Sequence, residues 1–90
     1  MSRPFSAESV FRALAHKTRR RILESLRKGP RFASEVLEDP DLRMPTLSDH
    51  LRVLRQCEMV KCQRRGTRLE YQINPAAMRQ ATTWLAAFEK

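Results

Sequence analysis

The apolar residues of this chain change period once, and that change limits the folds open to it. Up to Leu54 they recur at helical spacing: Val10, Phe11 and Leu14, then Ile22, Leu23 and Leu26, then Leu47, Leu51 and Leu54. After Met59 the period falls to two, with Leu69, Tyr71 and Ile73 alternating with Arg68, Glu70 and Gln72. The runs 59–64 and 68–73 flank Arg65-Gly66-Thr67, which predicts an antiparallel hairpin with glycine at its tip. Asn74-Pro75 then opens a last helix reaching about Phe88, rich in apolar residues: Ala77, Met78, Ala81, Trp84, Leu85 and Phe88.

Turn chemistry divides the helical part. Ser6 is placed to cap a first helix, with Glu8 favourable in its first turn. A second helix is expected over 17–28, stopped by Lys28-Gly29-Pro30. A short third helix is expected over 32–38, with Val36 and Leu37 inward, closing at Asp39-Pro40. After a tight turn at Leu42 a fourth helix opens near Met44-Pro45. The expected architecture is therefore mainly α with a small β-hairpin: four helices, the hairpin and a fifth helix, as one domain over 1–90. Two helices joined by a tight turn (32–56) and followed by a basic hairpin (59–73) have the order of a winged helix-turn-helix, whose second helix enters the major groove of DNA.

Charge agrees with that order. The chain carries 18 Lys and Arg against 10 Asp and Glu, a formal net charge of +8, which suits a polyanionic partner. The cations are grouped. The second helix bears Lys17, Arg19, Arg20, Arg21, Arg27 and Lys28, and the hairpin bears Lys61, Arg64, Arg65 and Arg68. The stretch 35–41 holds Glu35, Glu38, Asp39 and Asp41 with no base. No apolar run has the length of a membrane span or signal region, so a cytoplasmic protein without membrane attachment is expected. Aromatics make up 7% and lie mostly near the chain ends, which disfavours a single-strand binder built on stacking platforms.

Three blocks carry a family resemblance: Phe11-Arg-Ala-Leu-Ala-His-Lys-Thr-Arg-Arg-Arg-Ile-Leu23, Thr46-Leu-Ser-Asp-His-Leu-Arg-Val-Leu-Arg55, and Arg64-Arg-Gly-Thr-Arg-Leu-Glu-Tyr-Gln-Ile-Asn-Pro75. In this order, over about residues 5–88, they resemble the ArsR-type winged helix-turn-helix repressors, and the short chain is similar to the compact autorepressor branch. The resemblance implies a homodimeric repressor of an inverted-repeat operator in double-stranded DNA, joined by its first and last helices (5–16 and 75–88). Phe5, Val10, Phe11, Leu14, Met78, Ala81, Trp84, Leu85 and Phe88 are the interface candidates. It implies base reading by Met44, Thr46, Ser48, Asp49 and His50. Backbone contacts would come from Arg43, Arg52, Lys17, Arg19 and the wing residues Arg64, Arg65, Thr67 and Arg68. Phe32 and Ser34 occupy the positions at which many members carry a metal-binding cysteine pair, and residues 75–90 lack the Asp and His that others use. No metal or other cofactor is expected. Arg43 stands where the reading helix usually has a small hydroxyl cap, and Lys17 where proline is common.

Other chemistries fit less well. Ser48-Asp49-His50 cannot act as a nucleophile triad, because consecutive helical side chains diverge by about 100°. There is no glycine-rich phosphate loop, and no enzymatic activity is expected. Cys57 and Cys62 leave two readings open, a redox-responsive pair at the junction of reading helix and wing or a buried core thiol beside a strand filler. A protein-interaction module of antitoxin type is the rival from another class.

Overall fold

Helices in the computed structural model, which describes residues 7–89, follow the apolar stripes. α1 (Ala7–Leu14) buries Val10 and Ala13, and α2 (Lys17–Leu26) buries Ile22, Leu23 and Leu26. Between them the chain breaks at Ala15-His16. There His16 Nδ1 accepts from the Thr18 backbone N–H at 3.2 Å and caps α2. The cap expected at Ser6 lies outside the described residues, as does Phe5.

α3 (Met44–Gln56) is the longest helix, with Pro45 in its first turn. Leu47, Leu51 and Leu54 are 3%, 2% and 0% exposed, and each contributes about 1.5–3 kcal/mol of burial free energy. Arg43 is the N-cap and makes no side-chain capping bond, which costs about 1 kcal/mol against a serine or asparagine. At the other end the chain leaves the helix through Glu58, in the left-handed region at φ 59°. The Glu58 N–H bonds to the Arg55 carbonyl at 3.0 Å and the Met59 N–H to the Leu54 carbonyl at 2.9 Å.

One buried side chain, Asn74, holds that turn in place. Its Nδ2 donates to the Glu58 carbonyl at 2.8 Å, and its backbone N–H donates to the Met59 carbonyl at 2.9 Å. Its Oδ1 accepts from the Ala76 N–H at 3.3 Å, capping α4 (Pro75–Ala86). α4 packs on α1 and continues into a 3-10 turn over Ala87–Glu89.

The hairpin forms as its alternation predicts. β2 (Val60–Arg65) and β3 (Arg68–Ile73) pair antiparallel from Val60↔Ile73 to Arg65↔Arg68, leaving Gly66-Thr67 as the loop. Gly66 has φ 64° while Thr67 stays out of the positive region, the pattern of a type II′ turn with glycine first.

The expected third helix over 32–38 does not form. Arg31–Phe32 is instead a short strand, β1, that adds to the sheet through Arg31↔Tyr71 and Phe32↔Glu70 and gives the order β1-β3-β2. A single 3-10 turn, Ala33–Glu35, follows it. The Glu35 carboxylate accepts from the Phe32 N–H at 3.1 Å, and Arg21 pairs with Asp39 at 3.1 Å to pin the segment to α2. Too few residues lie between the strand and Asp39-Pro40 to repay helix nucleation. Val36 is nevertheless buried and Leu37 half-buried, as expected. The helix-turn-helix expected over 32–56 is thus one full helix preceded by a strand and a turn, and the described residues contain four α-helices rather than five.

Candidate nucleic-acid interface

Because Leu47, Leu51 and Leu54 take one side of α3 inward, the other side is left to polar residues. Thr46, Ser48, Asp49 and Arg52 are all exposed, and Met44 at the helix start is 50% exposed. The Asp49 carboxylate accepts from Arg52 at 2.9 Å, one turn along the same face. Asp49 therefore holds a neighbouring guanidinium in place, which offsets the repulsion a lone carboxylate would exert on phosphate.

His50 is turned differently. It is half-buried, with its ring 4.4 Å from that of His16 at the head of α2. Burial lowers its pKa first, and the neighbouring His16 and Arg19 lower it further against an opposing effect of Asp49. The histidine expected on the reading face therefore also makes a contact between the head of α2 and α3. Arg19 is also half-buried, and its Nε is sealed from solvent without a hydrogen-bond partner. It lies beside a pocket of about 210 Å³ that also touches Val53 and Cys57. Lys17 is exposed.

The wing arginines divide by what they touch. Arg68 lies over the Phe32 ring at 3.7 Å and donates to Ser34 Oγ at 3.4 Å, so it fastens the sheet to the turn after β1. Arg65 pairs with Glu70 at 3.3 Å. Arg64 is exposed and enters no ion pair among the described residues, and Thr67 is exposed beside it in the loop. Phe32 and Ser34 are thus occupied by Arg68 in the very stretch where the sequence lacks cysteines.

α3 and β2 flank a common cleft of about 600 Å³. Two of its cations, Arg55 and Lys61, were not among the expected site residues. The signal was present: Arg55 stands one turn after Arg52, and Lys61 is an outward position of a two-residue alternation.

Comparison with known proteins agrees with this geometry. A helix-turn-helix domain family matches residues 14–63. The chain is 31% identical to the transcriptional repressor SdpR of Bacillus subtilis over 89% of both chains. It is 36% identical to the regulator Rv2034 of Mycobacterium tuberculosis, over 98% of this chain and 82% of that one. A crystal structure of an ArsR-family transcriptional regulator, RHA00566, superposes with a TM-score of 0.84 at 27% identity, covering 91% of this chain and 90% of the other. The chain belongs to the ArsR family of winged helix-turn-helix transcriptional regulators. A homodimeric winged helix-turn-helix DNA-binding domain from Mycobacterium bovis, a possible ArsR-family regulator, is 30% identical with a TM-score of 0.71, over 91% of this chain and 78% of that one.

In this ArsR-family chain the terminal helices expose a second, apolar surface. Trp84, Leu85 and Phe88 are 52%, 51% and 70% exposed. Trp84 meets Phe11 edge-on at 5.5 Å and Phe88 at 4.6 Å, forming an aromatic row. Phe11, Leu14 and Met78 are half-buried. Val10 and Ala81, expected with them, are sealed inside the protomer core and leave no surface for a partner. Among the described residues no three His, Cys, Asp or Glu side chains converge as a metal site would require, and no helix is long and apolar enough to cross a membrane. Cys57 is buried, its Sγ bonded to the Val53 carbonyl at 3.1 Å, and burial pushes its thiol pKa up. That environment favours the inert reading of this thiol.

Proposed function

We propose that this chain is a cytoplasmic, homodimeric repressor that binds an inverted-repeat operator in double-stranded DNA and has no catalytic activity of its own. The observation that carries the reading is an exposed polar side on α3 followed directly by a cationic hairpin, with the last turns of α3 and the start of β2 flanking one cleft. Met44, Thr46, Ser48 and Asp49 would face base edges, with Met44 suited to a thymine methyl group and Asp49 to a cytosine amino group or to positioning Arg52. Arg43, Arg52, Arg64 and Lys17 would meet phosphates, with Arg65 and Thr67 close to the minor groove at the wing tip. The aromatic row of Phe11, Trp84 and Phe88, with Leu85, would pair with its copy across a two-fold axis. The family and the repressor name of a relative over most of its length support this reading.

The test is binding of the purified protein to duplexes from the region upstream of its own gene, against random duplexes at matched salt. At least a ~10³-fold preference for one upstream segment is expected. Equal affinity for every duplex would refute sequence-specific repression.

A further inference from the structure

Within the DNA-binding reading above, we propose that the cleft between α3 and β2 is a phosphate seat. It would take the DNA strand that passes between the major groove occupied by α3 and the minor groove met by the wing, with Arg55 and Lys61 as its deep backbone contacts. A duplex engaged by both elements must route one strand through the gap between them, and that strand carries a charge at every nucleotide. The gap is lined accordingly. Arg52, Arg55 and Lys61 are among its lining residues, with Glu58 as the acidic one, around about 600 Å³ of open space.

Two features separate this lining from ordinary surface charge. Lys61 and Arg55 are exposed and enter no ion pair among the described residues, so neither is neutralised within the protomer. Arg55 is also carried on a fixed support. It stands in the last turn of α3, whose inner residues Leu51 and Leu54 are 2% and 0% exposed. A cation on a packed helix has less backbone freedom to lose on binding an anion than one on a loop. Cys62 and Val60 add no charge to the wall, so nothing there besides Glu58 opposes a phosphodiester.

The experiment measures affinity for the preferred duplex and for a random duplex across a salt series, for the wild type and for Arg55→Gln, Lys61→Gln and Arg55→Lys. Both glutamine variants are expected to weaken the two duplexes by a similar factor. The slope of log affinity against log salt should fall by about 0.9 for each lost contact, hence about 1.8 when both halves of a dimer carry the change. Arg55→Lys should keep the wild-type slope. Lys61→Gln guards against a folding effect at Arg55, because Lys61 is an exposed residue on a different element, β2. If the wild type binds tightly and both glutamine variants keep its slope, the seat is overturned while the repressor stands. A wild type that binds no duplex overturns the repressor and the seat with it. Chemical-shift changes at Arg55 and Lys61 on adding inorganic phosphate, with unchanged DNA slopes, would show a site for small phosphorylated molecules and also overturn the proposal.

Discussion

The outer faces of α3 and α4 are both uncovered, yet they are built from opposite chemistry. Beyond Met44 and Pro45 at its start, α3 exposes mainly hydroxyls, a carboxylate, an amide and guanidiniums, several of them short, so the backbone can come close to what it meets. Toward the end of α4 and in the turn after it, Trp84, Leu85 and Phe88 form an apolar row beyond the exposed Arg79, Gln80, Thr82 and Thr83, and Phe88 is more exposed than any other large hydrophobic residue of the described chain. Exposure alone is uninformative, because more than half of any protein surface is apolar. The difference lies in hydration. The α3 groups are satisfied by water until a polar partner replaces it, whereas the α4 row gains from any partner that removes it from water. One face suits reversible, salt-sensitive recognition and the other a standing contact.

The contrast breaks most visibly at Trp84. Trp84→Glu is expected to give a monomer by analytical ultracentrifugation and to lower operator affinity about 10³-fold or more, toward that for random DNA. A dimer that persists would place the subunit contact on another surface. Next in size is Asn74→Ala, which leaves the Glu58 carbonyl and the head of α4 without their partners. A loss of about 2–3 kcal/mol in urea unfolding is expected, with no change in the dimer's contact residues. Ser48→Ala sharpens the α3 side: discrimination at one base pair per half-site should fall by about 1–3 kcal/mol, read from a panel of single-substitution operators. A loss spread evenly over all duplexes would make Ser48 a backbone contact.

Arg64→Gln should be gentler, weakening all duplexes alike and lowering the salt slope by about 0.9 per phosphate released. The smallest effect concerns His50. Because its folded pKa is lowered, the folded chain takes up its proton less readily than the unfolded chain. The stability tied to the neutral ring is present above about pH 6.5 and is lost as pH falls through the folded value. His50→Gln should flatten the decline in stability between about pH 7 and pH 5, measured by denaturant titration. An unchanged pH profile would mean that neither burial nor the nearby His16 and Arg19 loads the ring.

Much of this arrangement was legible because it rests on period and punctuation. The stripe Leu47-Leu51-Leu54, Pro45 in the first turn of α3, and Gly66 at the wing tip each have a local cause, and each element formed within a residue or two of its expected place. The segment 31–38 was not legible, for a physical reason. Arg31 and Phe32 become a strand only because Tyr71 and Glu70, some forty residues on, offer an edge to pair with. The same limit applies to side chains. Nothing in the order of residues places His50 against His16 or Arg68 over Phe32, so these two expected DNA-face residues also have partners within the protomer. Val10 and Ala81 show the converse: an apolar residue on a terminal helix reads the same whether it meets its own core or a second copy.

The joint at Asn74 fixes a length as well as a fold. One amide grips the exit of α3 and the entrance of α4, so the helix that would meet DNA and the helix that would meet a second copy cannot slide independently. In a pair of such chains the span between the two reading helices would behave as a stiff ruler. Operators whose half-sites depart from that span would have to twist or bend to be held, and the protein would yield little.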